Sequence, residues 1–193
     1  MSPSQEEYVM HAMSRSAPRE AVGSVVVAEH HTPIGRLALA ATGEALLYCG
    51  FFPPETVRQR LAAGGRGCWD EAGADADQLA VMAQARDQID DFLAGGRRSF
   101  TVPLDPSLAT PFSKEVVLAV AEHVPYGGTA TYGELAAAVH RPGSARAVGK
   151  ALGANPLCVV LPCHRVVGAS GRPMGYAGGL RAKRFLLDLE CRG

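Results

Sequence analysis

The sequence predicts an α/β (α+β) protein in which an N-terminal module, an antiparallel sheet with a helix, precedes a mostly helical C-terminal module. Two patterns indicate this class. Short apolar runs separated by turn residues dominate residues 23–103, whereas apolar residues at helical spacing dominate residues 104–193. The chain has 193 residues, of which 47% are hydrophobic. This is enough for the core of one ordinary domain or of two small ones.

Residues 1–22 are expected to form a flexible extension, because they contain several serines and prolines and show weak periodicity. Apolar runs at residues 25–28 and 37–40 then lie on either side of a Thr-Pro-Ile-Gly segment at residues 32–35. A further run at residues 45–48 follows a Thr-Gly pair. These runs predict β-hairpins in a short antiparallel sheet.

One helix and one strand are predicted in the rest of the N-terminal module. The helix ends at Gly95-Gly96, which provides a C-cap and a stop. A short strand around residues 100–102 is expected to rejoin the sheet. The apolar stripe of the helix consists of Leu79, Met82, Ile89, Phe92 and Leu93.

The C-terminal module contains two clear helix starts. Thr110 can cap a helix that has Pro111 in its first position, and this helix is expected to end at a Pro-Tyr-Gly-Gly segment. Thr131 and Glu134 then form the pattern of a capping box. The last helix of the chain is expected to bury Ala182, Phe185, Leu186 and Leu189.

A helix-turn-helix is predicted in this module. The helix that begins at Thr131 is expected to end at Arg-Pro-Gly, residues 141–143. Ser144 can then cap a further short helix over residues 145–152. This helix has few long side chains, so its backbone can approach another surface closely, although tight helix packing alone gives the same pattern. Arg146 and Lys150 share one face at i, i+4, and this cationic pair favours phosphate as the partner.

A thiol and an imidazole follow the apolar run at residues 157–161, which predicts a buried strand ending in a cysteine turn. Cys163 comes directly after Pro162, and His164 is its neighbour in sequence. A thiol is a good nucleophile only as a thiolate, so a cationic or hydrogen-bonding neighbour must lower its pKa from about 8.5. The pattern therefore indicates a nucleophile with its base.

The other cysteines indicate neither disulfides nor metal. Five cysteines with no Cys-x-x-Cys pair argue against a disulfide framework and against a zinc knuckle. Cys158, inside the apolar run, is expected to be an inert core thiol. Cys49 with His30 and His31 matches no four-coordinate ligand spacing, so we expect no metal and no cofactor.

The net charge of zero conceals an asymmetry along the chain. Residues 1–100 contain 9 basic and 13 acidic side chains, whereas residues 141–184 contain eight basic side chains and no acidic ones. Such a stretch attracts a polyanion by counterion release, although it can also be an ordinary solvated surface. The chain has no apolar run of about 20 residues and no secretory signal pattern, so a cytoplasmic protein without membrane contact is expected.

An ordered set of motifs occupies the C-terminal module. It consists of Arg146-Ala147-Val148-Gly149, Asn155-Pro156, Pro162-Cys163-His164-Arg165-Val166-Val167, Gly175-Tyr176-Ala177-Gly178-Gly179, and Lys183 with Glu190. At this spacing the set closely resembles the O6-alkylguanine-DNA alkyltransferase family. The resemblance is strong over about residues 100–190, weaker over residues 23–100 and absent over residues 1–22.

The resemblance implies repair of duplex DNA by direct alkyl transfer. The cysteine would attack the alkyl group on O6 of guanine after the base is flipped out of the stack, and it would keep the group as a thioether. The protein would therefore act once per molecule. The implied partner is double-stranded DNA containing O6-alkylguanine, bound by a monomer. Activity on O4-alkylthymine and cooperative assembly on DNA are left open.

The resemblance also implies a role for each site residue. Cys163 would be the acceptor, His164 would take its proton through water, and Glu190 would orient the imidazolium. Asn155 would brace the cysteine turn, and Tyr132 would donate a proton or hydrogen bond to the purine.

Arg146 would fill the place that the flipped base leaves in the stack, with the helix in the minor groove. The implied DNA-binding set is Tyr132, Ala145, Arg146, Ala147, Gly149, Lys150 and Arg165. The implied pocket set is Tyr176, Ala177, Gly178, Gly179 and Lys183. Ala177 stands where some relatives have serine, and Lys150 where a small residue is common.

Two other functions are compatible with parts of the pattern. A Cys-His hydrolase would use the same nucleophile and base, but it would turn over repeatedly and would leave the basic stretch unexplained. A non-catalytic protein that binds alkylated DNA would use the helix-turn-helix, but it would have no need of Cys163.

Overall fold

The structure is a computed structural model that describes residues 24–192. The predicted extension at residues 1–22 lies outside the described residues. A four-stranded sheet occupies the N-terminal half, with the strand order β3-β2-β1-β4. Its strands are β1 (Val25–Thr32), β2 (Gly35–Ala41), β3 (Leu46–Gly50) and β4 (Cys68–Trp69).

The pairing of β1, β2 and β3 is antiparallel, which confirms the predicted hairpins. Thr32 pairs with Gly35 across the first turn, and Ala38 pairs with Gly50 in the second hairpin. The two-residue β4 pairs parallel to β1, so the sheet is mixed rather than purely antiparallel. A parallel pair needs a crossover connection, and helix α1 (Pro54–Ala63), which the sequence analysis does not predict, provides it.

Helix α2 (Ala76–Leu93) begins at a capping box formed by Asp75 and Gln78 and packs on the sheet. Met82, Ile89, Phe92 and Leu93 of the predicted stripe are buried, whereas Leu79 is exposed, so the stripe was wrong at that position.

The predicted strand around residues 100–102 is absent. The side-chain oxygen of Gln88 accepts hydrogen bonds from the N–H groups of Thr101 and Val102, at 2.7 and 3.1 Å, in place of a strand partner. The chain meets the sheet two residues later, where Leu104 forms a single bridge with Leu46.

The C-terminal half contains the helices α3 (Pro111–His123), α4 (Tyr132–Ala138), α5 (Ala145–Gly153) and α6 (Gly179–Cys191), with the short parallel strands β5 (Ala130–Thr131) and β6 (Val166–Val167). The predicted starts of the first two helices are confirmed. Thr110 caps α3, and Thr131 and Glu134 form the capping box of α4. In α6, Ala182 and Leu186 are buried as predicted, but Phe185 is exposed.

One apolar core joins the two halves. Leu39 of β2 and Ile89 of α2 belong to the same buried cluster as Val116 of α3 and Leu157. The predicted modules, residues 23–103 and residues 104–193, therefore share one continuous core. Within residues 24–192, none of the helices is long and apolar enough to cross a membrane.

Candidate active site

The apolar run at residues 157–161 leads to the cysteine, but it does not form the predicted strand. The N–H of Cys49 in β3 donates to the carbonyl of Pro156 at 2.8 Å, and the carbonyl of Cys49 accepts from the N–H of Cys158 at 2.8 Å. After this single bridge the chain turns. Because an apolar run alone does not distinguish a strand from a buried turn, the strand prediction was wrong.

Asn155 closes this turn from the inside. Its side-chain oxygen accepts from the N–H of Leu157 at 2.9 Å, and its amide nitrogen donates to the carbonyl of Leu161 at 3.1 Å. Between these two residues Val159 has a φ of 72°, in the left-handed region that a β-branched residue rarely occupies. One buried amide therefore holds a strained turn together, as a bracing role requires.

Cys163 begins a one-turn 3₁₀ helix, Cys163–Arg165, at the end of this segment. The cysteine is only 5% exposed, and it lines a cavity of about 310 Å³. This volume is at the lower end of the range of roughly 300–1,000 Å³ found for small-molecule pockets. The other lining residues are Tyr132, Gly149, Leu152, Gly153, Gly175, Tyr176 and Ala177.

A buried ionic cluster lies behind the cysteine. Glu190 of α6 accepts a hydrogen bond from His164 Nε2 at 2.8 Å, from Arg165 Nε at 2.8 Å and Nη2 at 3.1 Å, and from the N–H of Gly127 at 3.0 Å. Burial alone would raise the pKa of Glu190, but the hydrogen bonds from His164 and Arg165, together with the charge of Arg165, outweigh it and hold the pKa at about 2. The carboxylate is therefore ionised and fully hydrogen-bonded.

The ionised carboxylate determines the tautomer of His164. A carboxylate only accepts hydrogen bonds, so Nε2 carries the proton and Nδ1 of the neutral ring has a free lone pair. Nδ1 is buried and has no hydrogen-bond partner among the described residues. Burial lowers the pKa of His164 despite its bond to Glu190, which keeps the ring neutral at pH 7. A neutral, oriented imidazole can accept a proton.

The environment of Cys163 favours the thiolate. The Cys158 side chain is the main cause that lowers the pKa of Cys163; burial opposes it, while Asn155 and the charge of Lys183 reinforce it. The Cys163 side chain and burial raise the pKa of Cys158, whose thiol donates a hydrogen bond to the carbonyl of Asn155 at 3.5 Å. Cys158 therefore influences the Cys163 thiol and is not the inert core thiol that the sequence predicts.

Lys183 holds the loop on the other side of the cavity. Its Nζ donates to the carbonyls of Val166 and Met174, both at 2.6 Å, and of Gly175 at 3.2 Å. The carbonyl of Met174 also accepts from the hydroxyl of Tyr132 at 3.0 Å. Burial lowers the pKa of Lys183 and raises that of Tyr132, so the phenol keeps its proton.

Helix α5 forms the border of the cavity and an exposed surface beside it. Gly149 and Gly153 line the cavity, whereas Arg146, Ala147 and Lys150 are exposed. Ala145 is half-buried. The small and cationic residues of the predicted DNA-binding set therefore lie next to the opening through which Cys163 is reached.

Known proteins share this sequence and this fold. Residues 111–192 match the family model described as 6-O-methylguanine DNA methyltransferase, DNA binding domain. The methylated-DNA–protein-cysteine methyltransferase of Mycobacterium leprae is 41% identical over 159 residues, which cover 82% of this chain and 88% of the relative. The chain belongs to this methyltransferase family. The enzyme of the same name from Mycobacterium bovis is 48% identical over 160 residues, again covering 82% of this chain and 88% of the relative.

The fold comparison agrees with the family. The crystal structure of Mycobacterium tuberculosis OGT in complex with DNA matches this methyltransferase with a TM-score of 0.71 and 37% sequence identity, covering 88% of this chain and 93% of that chain. The predicted family and α/β fold class are thereby confirmed, and the chain is a DNA-repair transferase.

Four of the predicted site residues lie elsewhere than expected. Arg165 was predicted to bind DNA, but its side chain is 2% exposed and bonds to Glu190 and to the carbonyl of Val124, so this prediction was wrong. Gly178, Gly179 and Lys183 do not line the cavity. Gly178 instead lies against the ring of Phe51, and Lys183 bonds to the backbone of the adjacent loop.

Phe51 has no predicted role, and neither Gly127 nor Cys158 is among the predicted site residues. Cys158 lies near Cys163 in sequence, but its apolar surroundings indicated an inert thiol. Phe51 and Gly127 reach the site through contacts between distant segments, which no local pattern indicates. Within residues 24–192 no group of three or more His, Cys, Asp or Glu side chains is arranged to hold a metal ion. The candidate ligands His30 and His31 bond instead to Asp90 and Glu29, each at 2.8 Å.

Proposed function

We propose that Cys163 of this methyltransferase accepts the alkyl group from O6-alkylguanine in duplex DNA. One observation carries the proposal. The acceptor sulfur lines a cavity bordered by an exposed cationic helix, next in sequence to a buried imidazole whose Nδ1 has no partner among the described residues. Nucleophile, base and nucleic-acid surface thus meet at one opening.

The chemical step needs a thiolate and a protonated leaving group. His164 Nδ1 accepts the thiol proton through water, and Glu190 balances the charge of the resulting imidazolium. The Cys163 thiolate attacks the alkyl carbon, a C–S bond forms, and the bonding electrons of the C–O bond go to the purine. Tyr132 supports the departing guanine by donating a hydrogen bond or proton, which its raised pKa allows it to keep until that moment.

The alkylated base can enter the cavity only after it leaves the DNA double helix. Unstacking and unpairing a nucleotide cost a few kcal/mol, less for a damaged pair, and a side chain that fills the gap offsets part of this cost. Arg146 is exposed on α5 beside the opening and takes this role. The small residues Ala145, Ala147 and Gly149 let α5 approach the minor groove, and Lys150 neutralises a phosphate.

The product limits the protein to one reaction. A thioether has no easy leaving group, so water does not regenerate Cys163 and the yield cannot exceed one alkyl group per protein.

Mass spectrometry tests the proposal. A duplex containing one O6-methylguanine is incubated with the protein, and a methyl mass is expected on the peptide with Cys163, saturating at one equivalent. Cys163→Ala is expected to bind the duplex without taking up methyl. Sustained turnover would instead support the Cys-His hydrolase, and binding without any transfer would support a non-catalytic DNA-binding protein.

A further inference from the structure

Phe51 lies directly after β3 and packs against the loop that forms one wall of the cavity. Its ring centroid is 5.6 Å from that of Tyr176, at an interplanar angle of 71°. At Gly178 an added Cβ would lie 2.3 Å from the Cζ atom of Phe51. Gly178 has a φ of −83°, which any residue adopts, so glycine is needed there for the space that the ring occupies.

The loop that packs against Phe51, residues 174–178, contributes to the cavity that Cys163 lines. Gly175, Tyr176 and Ala177 line the cavity together with Cys163. The Tyr176 ring is 6.5 Å from the His164 ring, edge to face. The Tyr176 hydroxyl is buried and has no hydrogen-bond partner among the described residues, so packing is what holds this ring in place.

The two ends of the loop are supported differently. Hydrogen bonds from Lys183 hold its first end, at Met174 and Gly175. The contacts described above put Phe51 at the second end, where apolar packing replaces hydrogen bonds. Because this packing comes from the Phe51 ring, truncating Phe51 leaves a gap beside the loop.

The same stretch of chain also holds the opposite wall. Two residues before Phe51, the backbone of Cys49 bonds to Pro156 and Cys158 of the acceptor turn, both at 2.8 Å. The end of β3 therefore contacts the turn that carries the acceptor sulfur and the loop that faces it. This short segment therefore touches both walls of the cavity.

We infer that Phe51 is a positioning residue that sets the width of the alkyl pocket, and with it the size of the adduct that reacts. The inference rests on the proposed alkyl transfer to Cys163. A fixed Tyr176 loop holds a small alkyl group close to the sulfur and leaves little space for a large one. Without the Phe51 ring the loop can move outward, which loosens the alignment of a methyl group and makes space for a benzyl group.

The test compares two adducts in one duplex sequence, O6-methylguanine and O6-benzylguanine. For Phe51→Ala the rate of methyl transfer is expected to fall about 10-fold, less than the roughly 100-fold that a misplacement of 1 Å can cost. Benzyl transfer is expected to change less, so the benzyl-to-methyl ratio rises severalfold. Affinity for the duplex is expected to stay within about twofold, because Phe51 does not line the cavity that α5 borders.

Phe52→Ala is the matched control. Phe52 is the next residue and is 46% exposed, with the guanidinium of Arg60 over its ring at 4.1 Å. The Phe52→Ala substitution is expected to leave the benzyl-to-methyl ratio unchanged. If Phe51→Ala does not fold, Phe51→Leu is expected to show a smaller rise of the same ratio.

A second pair of variants tests the contact itself. Gly178→Ala is expected to slow transfer of both adducts, because its Cβ displaces the loop from the ring. The double variant Phe51→Ala/Gly178→Ala is expected to be faster than Gly178→Ala alone, since the clash is gone. If the wild type transfers both adducts but Phe51→Ala or Phe51→Leu keeps the wild-type ratio, the inference is overturned. Absence of transfer by the wild type would refute the proposed function instead.

Discussion

Glu190 is the residue on which the buried polar groups of the site depend. It accepts bonds from His164, Arg165 and the backbone of Gly127, and it is 3% exposed. A buried ion pair of this kind is costly to break, because removing one partner leaves the other charge without compensation. The same carboxylate therefore supports both the stability of the fold and the orientation of the proposed base.

The first prediction concerns Glu190→Gln. The buried guanidinium of Arg165 loses its counter-charge, so the free energy of unfolding is expected to fall by about 3–5 kcal/mol. Urea denaturation followed by circular dichroism measures the change. Asp188→Asn, on the exposed side of the same helix, is the control and is expected to change stability by less than about 0.5 kcal/mol. A similar loss in both variants would contradict the role of the cluster.

The second prediction concerns acid stability. The pKa of Glu190 is about 2 in the folded protein, whereas an unfolded glutamate has a pKa of about 4.3. A lowered folded pKa contributes stability that is complete above the unfolded value and is lost as the pH falls towards the folded value. Denaturation midpoints measured between pH 2 and 6 are expected to decrease steadily below about pH 4.3. Midpoints that are independent of pH over this range would contradict the prediction.

The third prediction concerns the Cys158 thiol. Cys158→Ala removes the side chain that contributes most to lowering the pKa of Cys163, so this pKa is expected to rise and the rate of alkyl transfer at pH 7 to fall. A pKa increase of one corresponds to about tenfold less thiolate. The pH profile of the transfer rate is the measurement, and its rising limb is expected to move to higher pH. Cys158→Ser keeps a hydroxyl donor and is expected to recover most of the rate, while the exposed Cys191→Ala serves as control.

Local sequence signals predicted the starts of the helices correctly, but they did not predict the conformation of the segment before Cys163. The capping boxes of α2 and α4 involve residues three apart, so the information lies within one turn of chain. The segment around Val159 has the composition of a strand, but the Asn155 side chain bonds to both of its ends and makes it a turn. Such a bond is visible only once the chain is folded.

The fourth prediction concerns Arg146 on α5. Arg146→Ala is expected to lower the rate of methyl transfer from duplex DNA at least about 10-fold, because the gap left by the flipped base is no longer filled and about 1.4 kcal/mol corresponds to this factor. Transfer from the free base O6-benzylguanine is expected to stay at the wild-type rate, since no stack has to be opened. Both rates are followed as loss of titratable Cys163. Equal losses on the two substrates would refute the flipping role.

For the whole molecule, the sequence indicated the family, the fold class and the residues of the motifs, but it could not indicate how the two halves meet. Arg165 shows why. In the sequence it belongs to a basic stretch and was predicted to bind DNA, whereas a carboxylate 25 positions later, Glu190, draws it into the interior. The partners of Arg165 and Phe51 come from distant segments, so the roles of these two residues depend on tertiary contacts that periodicity and spacing do not encode.

Cys49 of β3 and Phe51, which follows this strand, together contact both walls of the cavity. The matched DNA-binding domain begins at residue 111 and contains Cys163, His164 and helix α5. A truncated repair protein cut at that boundary would lose Cys49 and Phe51, and its reactive centre would open to solvent from behind. The smallest excisable version of this enzyme is therefore larger than the matched domain, and trimming from the N-terminus has to stop before the third strand.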